Sequence, residues 1–195
     1  MKEIDCRGMA CPEPVLTAKQ ALERNEDNFV VIVDNASSCE NVERFVRSQG
    51  CSVGVEEKGK DFYLHIQKMA LKKERELPRS KERGDQVVVY INSYLLGVGD
   101  EALGSILMKT FLKTLVNLQP KPTRLILINS GVRLASEGSE VLETLRSLSE
   151  EGVEILACGT CLDFYRLKEK LRVGVVSNMY DIAQSLLGAD RLVRP

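Results

Sequence analysis

A charged stretch with few apolar residues, from residue 69 to residue 84, divides the chain into two parts with different hydrophobic patterns. It surrounds Pro78 with six basic and three acidic side chains. Such a composition is typical of an exposed linker rather than of a segment that joins a core. We therefore predict two separate domains, at residues 1–68 and 85–195, which are joined by a charged linker at 69–84.

The first part of the chain alternates short strands with amphipathic helices. In order, the predicted elements are a strand at 2–5, a helix at 12–24, a strand at 29–33, a helix at 37–49 and a β-hairpin at 51–68. Ser37 and Glu40 have the spacing of a capping box, and Gly50 is expected to end the second helix. The order βαβαββ predicts a two-layer sandwich of two helices on a four-stranded sheet.

The second part of the chain contains continuous apolar strands separated by long helical patterns. Strands are predicted at 87–91, 125–128, 153–157, 173–176 and 191–193, and helices at 101–118, 138–151 and 179–187. Strands that are apolar on both faces and alternate with helices indicate a parallel sheet covered on both sides. The fold class is therefore α/β, with a doubly wound parallel sheet of five strands in the second domain.

Charge and hydropathy argue against two classes of partner. The formal net charge is −1, and the basic residues of the linker lack the interleaved aromatic residues of a nucleic-acid tether. No apolar run approaches the roughly 18 to 20 residues of a membrane span, and Met1-Lys2-Glu3 leads into a polar strand rather than a signal peptide. We predict a cytoplasmic protein with neither a DNA nor a membrane partner.

Six cysteines in a chain of 195 residues do not indicate a disulfide framework, which belongs to small secreted domains. Some of them are therefore expected to do chemistry. A structural zinc site at Cys158 and Cys161 would need two more ligands, but Cys6 and Cys11 belong to the other domain and His65 lies in the outer hairpin. We predict no metal and no organic cofactor.

Cys11 directly precedes Pro12-Glu13-Pro14 at the predicted start of the first helix. We expect Cys11 at the N-cap and Pro12 at the first helical position, with Pro14 still in the first turn, where a missing N–H removes no hydrogen bond. The helix dipole and the free N–H groups of Glu13 and Val15 are expected to stabilise the Cys11 thiolate. The alternative is that Cys11 is a small apolar residue at an ordinary helix start.

The Cys11-Pro12-Glu13-Pro14 motif, preceded by Asp5-Cys6-Arg7-Gly8, resembles the signature of the TusA/SirA-like sulfur-carrier family. The fold of that family is the same βαβαββ sandwich. The resemblance implies that Cys11, the cysteine of the Cys-Pro-x-Pro motif, carries a persulfide sulfur. Cys6 has two open interpretations, a thiol that resolves or protects the persulfide and an ordinary loop cysteine.

Three segments of the second domain are predicted to meet at the carboxyl edge of its sheet, where doubly wound proteins bind ligands. They are residues 92–100, 129–133 and 158–165. The first carries Gly97 and Gly99 and ends in Asp100, a predicted N-cap. It lacks the third glycine of a dinucleotide motif and the lysine of a P-loop. Nucleotide binding, a functional loop and a plain connection therefore remain open.

Cys158-Gly159-Thr160-Cys161 follows a strand without a break and begins a helix. This arrangement is typical of a redox or sulfur-transfer site, because the helix end stabilises one thiolate and the second thiol can resolve a mixed disulfide or persulfide. A pair of inert buried cysteines is the alternative. Cys39 and Cys51 have no activating neighbours, and we predict that both pack in the core.

Residues 89–118, 157–165 and 177–181 resemble the DsrE-like sulfur-transfer family, and the pairing of the two halves resembles YedF-type proteins associated with selenium metabolism. The resemblance implies that Cys158 accepts persulfide sulfur, with Cys161 as an additional cysteine and Asn178 as a supporting residue. It also implies sulfur- or selenium-transfer partners, such as a cysteine desulfurase or a downstream acceptor, and a homo-oligomer formed through the second domain.

These observations predict a sulfur or selenium carrier that relays a persulfide-type chalcogen between Cys11 and the Cys158/Cys161 pair. Such a relay needs activated, accessible thiols rather than a bound cofactor. It acts as a component of a transfer chain more than as an enzyme with a small-molecule substrate. Two alternatives stay open, a thiol-disulfide oxidoreductase that uses Cys158 and Cys161, and a non-catalytic interaction or regulatory module.

Overall fold

The computed structural model describes residues 2–24, 26–69 and 86–195, which fall into two compact units, one formed by the first two ranges and the other by the third. The predicted charged linker lies outside the described residues, apart from Met69. We call the described residues before the linker the first domain and those after it the second domain. No helix in these three ranges combines the length and apolar composition that a membrane span requires.

The first domain has the predicted order βαβαββ. Its elements are β1 (Lys2–Asp5), α1 (Glu13–Glu23), β2 (Asn28–Val33), α2 (Ala36–Ser48), β3 (Cys51–Lys58) and β4 (Asp61–Lys68). The sheet order is β1-β2-β4-β3, with β1 parallel to β2 and the other pairs antiparallel. The sequence prediction of a four-stranded sheet with two helices is confirmed.

The core of the first domain forms where the apolar stripes of both helices meet the central strand. Phe29 and Val31 of β2 are fully buried, as are Val42 and Phe45 of α2. Each large apolar side chain buried in this way contributes about 1.5–3 kcal/mol to the free energy of unfolding. The helical spacing of the apolar residues therefore specifies which faces of α1 and α2 cover the sheet.

Two predicted helix starts in the first domain are wrong by one or two residues. Cys11 does not cap α1, because the Glu13 N–H donates to the Ala10 carbonyl at 2.8 Å and closes a turn that leaves Pro12 as the N-cap. In α2 the N-cap is Asn35 rather than Ser37, since the Asn35 side chain accepts the Ser38 N–H at 2.8 Å. Local turns decide both starts.

The second domain is the predicted parallel sheet of five strands. Its strands are β5 (Val87–Ile91), β6 (Arg124–Leu127), β7 (Glu154–Cys158), β8 (Val175–Ser177) and β9 (Arg191–Val193), in the order β8-β7-β6-β5-β9. Its helices are α3 (Glu101–Asn117), α4 (Leu142–Glu150), α5 (Gly159–Phe164) and α6 (Met179–Leu187), with 3-10 turns at Asn129–Ala135 and Lys168–Lys170. All four strand pairings are parallel.

One helix of the second domain is shorter than the sequence predicts. The pattern from residue 138 indicated a helix, but α4 begins at Leu142. Gly138 has a φ of +87°, which a right-handed helix cannot accommodate. The chain before it forms the unpredicted 3-10 turn Asn129–Ala135 instead. This turn carries residues of the candidate site.

The strands of the second domain are apolar on both faces because helices cover both. Leu125 and Leu127 of β6 pack in one cluster with residues of α3 and α4, whereas Ile126 packs in the other with Ile182 of α6. Successive side chains of β6 therefore point to opposite faces of the sheet, into the two helix layers. Since all strands are parallel, the loops that follow β5, β6 and β7 emerge at the same edge.

Candidate functional site

The six cysteines differ in how far the fold exposes them. All six are free thiols; Cys6, Cys39, Cys51 and Cys158 are buried, whereas Cys11 and Cys161 are partly exposed. The predicted packing roles of Cys39 and Cys51 agree with their burial. Each domain thus presents one partly exposed thiol, and both lie in or next to the connection from a strand to a helix.

Cys11 lies in the loop between β1 and α1, one residue before the N-cap. Pro12 occupies the N-cap, Glu13 the first helical position and Pro14 the second. Pro14 therefore lies where no intrahelical N–H is needed, as the sequence predicts. The Glu13 N–H, which was expected to face the Cys11 sulfur, donates to the Ala10 carbonyl instead.

The start of this loop is held in place by two carboxylates that the sequence analysis did not single out. The Gly8 N–H donates to Asp34 Oδ2 at 2.7 Å, and Gly8 has a φ of +72°, a conformation that favours glycine. This hydrogen bond is the main cause that lowers the pKa of the Asp34 carboxyl. Asp61, at the start of β4, accepts a hydrogen bond from Arg7 at 3.0 Å.

Arg7 joins the loop to two strands. Its guanidinium donates to Asp5 at 2.6 Å and 2.9 Å, in addition to its bond with Asp61. The side-chain hydrogen bonds from Arg7 hold the pKa of Asp5 at about 2. Because Arg7 and Asp5 are both solvent-exposed, this network positions the loop more than it stabilises the fold.

Cys6 lies below the loop rather than beside Cys11 at the surface. Its residue is 1% exposed, its N–H donates to the Ile32 carbonyl at 2.9 Å, and its thiol hydrogen-bonds with Thr17 of α1. Burial raises the pKa of the Cys6 thiol. A buried thiol with a raised pKa favours packing over the resolving role that the sequence left open.

The structure brings together the three predicted segments at the carboxyl edge of the second sheet. The Asn129 N–H donates to Cys161 Sγ at 3.1 Å, and the Tyr165 hydroxyl donates to Asn129 Oδ1 at 2.8 Å. The Arg133 guanidinium lies over the Tyr165 ring at 4.8 Å and over the Tyr94 ring at 5.3 Å. Tyr94, Arg133 and Tyr165 thus link one segment to the next.

Asn129 is the residue that joins the second and third segments, and its role was not predicted. It has a φ of +47°, in the left-handed region that asparagine tolerates better than most residues. In this conformation the Asn129 N–H points toward Cys161 Sγ. In the sequence, the available signal for such a role was that Asn129 directly follows the predicted strand 125–128. Its partner Cys161, however, lies 32 positions further along the chain.

The neighbouring glycine Gly131 allows this turn to approach the sheet. A Cβ at Gly131 would lie 2.6 Å from the Ile91 carbonyl oxygen, which is closer than any real Cβ contact. The Gly131 N–H also closes the turn by donating to the Ile128 carbonyl at 2.9 Å. The 3-10 turn that carries Asn129 and Arg133 therefore depends on the absence of a side chain at residue 131.

The two cysteines of the C-x-x-C motif occupy different environments. Cys158 ends β7 and is 2% exposed, packed in the cluster that contains Ile126 and Ile182. Cys161 lies in the first turn of α5 and keeps part of its surface exposed. The more accessible sulfur is therefore that of Cys161, although the sequence resemblance pointed to Cys158 as the acceptor.

The other predicted supporting residues lie in a loop or cap a helix. Gly97 and Gly99 have φ values of +83° and +148°, and a Cβ at either would meet no atom within 4 Å. Asp100 caps α3 by accepting the Leu103 N–H at 2.9 Å, as predicted. Asn178, which is 1% exposed, caps α6 by accepting the Asp181 N–H at 3.0 Å.

In the described ranges, no group of three or more His, Cys, Asp and Glu side chains is arranged to hold a metal ion. His65 instead lies within 3.3 Å of Glu56 on the exposed hairpin. The chemistry that the described side chains offer at Cys11 and Cys161 is that of thiols.

Comparisons with known families match the two parts of the chain separately. Residues 2–68 match the family model described as sulfurtransferase TusA, and residues 101–195 match that of the DsrE/DsrF-like family. A protein named as a sulfur carrier in Methanocaldococcus jannaschii is 39% identical over 71 residues, which is 35% of this chain and 95% of that protein. One from Archaeoglobus fulgidus is 31% identical over 68 residues, covering 34% and 88%.

Two solved structures each resemble one domain. The SirA-like protein from Desulfitobacterium hafniense has 32% identity and a TM-score of 0.33, and the match covers 34% of this chain and 96% of that one. The YchN protein from E. coli has 20% identity and a TM-score of 0.46, and the match covers 57% and 100%. By its family matches and its relatives, the chain belongs to the TusA family of sulfur carriers through its first domain and carries a DsrE/DsrF-like second domain.

Proposed function

We propose that this protein relays a persulfide-bound sulfur or selenium between Cys11 and the Cys158/Cys161 site. The observation that carries the proposal is the exposure of the six cysteines. Each domain has one partly exposed thiol, Cys11 or Cys161, and the remaining four are buried. A carrier must present its sulfur to a partner, so an accessible thiol in each of two sulfur-transfer domains fits a relay.

The transfer step needs no oxidant, metal or organic cofactor. The thiolate of the receiving cysteine attacks the outer sulfur of the persulfide Cys11–S–SH. A bond forms between the outer sulfur and the receiving sulfur, the bond to Cys11 breaks, and Cys11 leaves as a thiolate. The outer sulfur keeps its proton, so atoms and electrons balance. The reverse attack returns the sulfur to Cys11, and selenium takes the place of the outer sulfur in the same step.

Cys161 is the receiving thiol in this proposal. Cys161 is partly exposed, and its sulfur is held in place at the start of α5 by the Asn129 N–H, which donates to it at 3.1 Å. Cys158 is buried at the end of β7 and needs a local opening before it can react. The predicted acceptor role of Cys158 therefore becomes that of a second thiol behind Cys161.

Selenium metabolism is the process in which we place the relay, because the pairing of the two domains resembles that of YedF-type proteins. The partners are a chalcogen donor, such as a cysteine desulfurase, and a downstream acceptor. The cytoplasmic location stays a prediction. Since both sites belong to one chain, each is held at a high effective concentration relative to the other.

Intact-protein mass spectrometry tests the relay. Wild type, Cys11→Ser, Cys158→Ser and Cys161→Ser are incubated with a donor protein that carries a cysteine persulfide or, separately, with the same donor protein carrying selenium as –S–SeH. Cys51→Ala, a change at a buried cysteine of the first domain, is the matched control. We expect reductant-removable sulfur or selenium on Cys11 and then on Cys161 in wild type, Cys158→Ser and the control. In Cys161→Ser, the label should remain on Cys11.

Two outcomes contradict the proposal. If Cys11 stays unmodified while Cys158 and Cys161 form a disulfide, the thiol-disulfide oxidoreductase interpretation replaces the relay. If neither site takes up label but binding to partner proteins survives replacement of all three cysteines, the protein is a non-catalytic interaction module. A label that is sulfur only, with none from the selenium-loaded donor, removes the selenium assignment and keeps the sulfur relay.

A further inference from the structure

A cavity of about 390 Å³ lies in the second domain, next to the segment that carries Arg133. This volume lies within the range of roughly 300–1,000 Å³ that small-molecule pockets occupy. Tyr94, Arg133 and Tyr165 line one part of the cavity, and neither Cys158 nor Cys161 is among the lining residues. The cavity is therefore separate from the thiols and shares the aromatic residue Tyr165 with their surroundings.

Arg133 is the distinctive charge in this cavity. Its guanidinium lies over the rings of Tyr94 and Tyr165, at 5.3 Å and 4.8 Å from their centroids. Within the described parts of the chain, no carboxylate forms an ion pair with it. Stacking on two rings restricts the guanidinium and leaves its N–H groups available for an external partner.

The acidic residues that line the same cavity already have cationic partners. Glu140 accepts a hydrogen bond from Lys109 at 2.7 Å, and Lys109 lowers the pKa of the Glu140 carboxyl. Glu137 accepts a hydrogen bond from Arg172 at 2.8 Å. These two pairs account for the negative charges at the cavity, so the charge of Arg133 remains uncompensated there.

The rest of the lining includes an apolar wall. Met108 of α3 and Val141 are each 1% exposed, and Leu134 is 7% exposed, yet all three contribute to the cavity surface. A cavity with one uncompensated guanidinium and an apolar wall matches a ligand with an acidic group at one end and an apolar body. Arg133 is an exposed residue, so a ligand can reach its guanidinium directly from solvent.

We propose that this cavity binds a small organic anion, whose carboxylate or phosphate group pairs with Arg133 and whose apolar body packs against Met108, Leu134 and Val141. The guanidinium fork matches both oxyanions in the same bidentate geometry. A ligand in this place would touch Tyr165, whose hydroxyl bonds to Asn129 beside Cys161. The inference goes beyond the sulfur relay, since it requires no reaction at any cysteine.

Isothermal titration calorimetry on the full chain tests the proposal with three matched probes. Phenylpropionate supplies a carboxylate, phenyl phosphate supplies a phosphate, and phenylpropanamide is a neutral compound of similar size. The variants are Arg133→Met and, as a control, Arg146→Met, which changes an exposed arginine of α4 that pairs with Glu143. Circular dichroism verifies that both variants fold.

We expect at least one anion to bind wild type and Arg146→Met equally. Loss of one charge-assisted contact should weaken its binding to Arg133→Met by about tenfold, and the amide should bind wild type about tenfold more weakly than the anion. The better of the two anions identifies the acidic group. The proposal is overturned if neither anion binds, if the amide binds as well as the anions, or if Arg133→Met retains wild-type affinity. Sulfur transfer is not measured here, so this test and that of the relay fail independently.

Discussion

Cys11 and Cys161 are held in place by different kinds of contact. The loop of Cys11 is anchored by exposed charges, through Arg7 and the hydrogen bond from Gly8 to Asp34. Cys161 instead receives a backbone N–H from Asn129, which is fixed by a tyrosine hydroxyl. Both arrangements leave a thiol partly exposed, but one uses carboxylates in water and the other a packed turn against the sheet.

This difference predicts that the two sites respond to different perturbations. Exposed ion pairs contribute little to the free energy of unfolding and are sensitive to pH and salt. A turn packed against a sheet is insensitive to salt but sensitive to any added volume. Changes of pH should therefore act on the Cys11 loop, and changes of side-chain size should act on the Cys161 turn.

The largest expected effect is the contrast in reactivity between the exposed and the buried thiols. Under native conditions, iodoacetamide should alkylate Cys11 and Cys161 first. The buried Cys158 should react more slowly than these two by a factor of about a hundred or more, because it can react only after a local opening of the fold. Peptide mapping after timed alkylation measures each rate. In denaturant all six should react at similar rates, which controls for intrinsic reactivity, and equal native rates at Cys158 and Cys161 would contradict the contrast.

The sequence predicts the architecture of both domains because each has a clear hydrophobic period. The alternating directions of the β6 side chains and the helical spacing of Val42, Phe45 and Val46 determine which faces are buried, independently of how the loops fold. The N-cap at Asp100 was also predictable, since an aspartate directly before a helical pattern has one dominant interpretation. Periodicity and simple caps are local properties, which is why they are visible in the sequence.

The relative exposure of the thiols was not predictable from the sequence. Cys158 is buried because Ile126 and Ile182 pack around it, and these residues come from a different strand and a distant helix. The contact between Asn129 and Cys161 likewise joins separate loops. The start of α1 was missed by one residue because the turn at Ala10 competes with capping by Cys11.

Gly131→Ala tests whether the Cys161 turn depends on close packing. The added Cβ would lie 2.6 Å from the Ile91 carbonyl oxygen, and backbone atoms on both sides must shift to relieve the overlap. We expect a loss of about 1–3 kcal/mol in the free energy of unfolding of the second domain, measured by denaturant titration. The shift should also change the rate at which Cys161 is alkylated.

The matched control for this change is Gly54→Ala in the first domain. A Cβ at Gly54 meets no atom within 4 Å, and Gly54 does not need a positive φ. This variant should unfold at the wild-type denaturant concentration or slightly above it. If Gly131→Ala is as stable as Gly54→Ala, the turn that carries Asn129 is less tightly packed than its geometry indicates.

Asn178→Ala should have an intermediate effect that is confined to the second domain. Asn178 caps α6 from a buried position, and loss of a side-chain N-cap costs about 0.5–2 kcal/mol. Asn178→Ser keeps an acceptor oxygen for the Asp181 N–H and, unlike Asn178→Asp, places no second carboxylate beside Asp181, so it should recover part of the loss. Thermal unfolding monitored by circular dichroism measures both variants. A supporting role in sulfur transfer, rather than in capping, would lower transfer by Asn178→Ser without lowering its stability.

The smallest expected effect on stability, and the sharpest on pH response, is that of Arg7→Gln in the Cys11 loop. Hydrogen bonds from Arg7 hold the pKa of Asp5 at about 2, against an ordinary value of 3.8. Because the folded-state pKa is the lower one, the pair stabilises the fold above about pH 4, and this stabilisation is lost as the pH falls through about 2. In Arg7→Gln the pKa of Asp5 should rise toward 3.8, as measured by NMR titration of the carboxyl carbon.

Arg24→Gln, at the exposed end of α1, should leave the Asp5 titration unchanged. An unaltered Asp5 titration in Arg7→Gln would show that charges do not anchor this loop, and the difference between the two thiol sites would then lie in exposure alone.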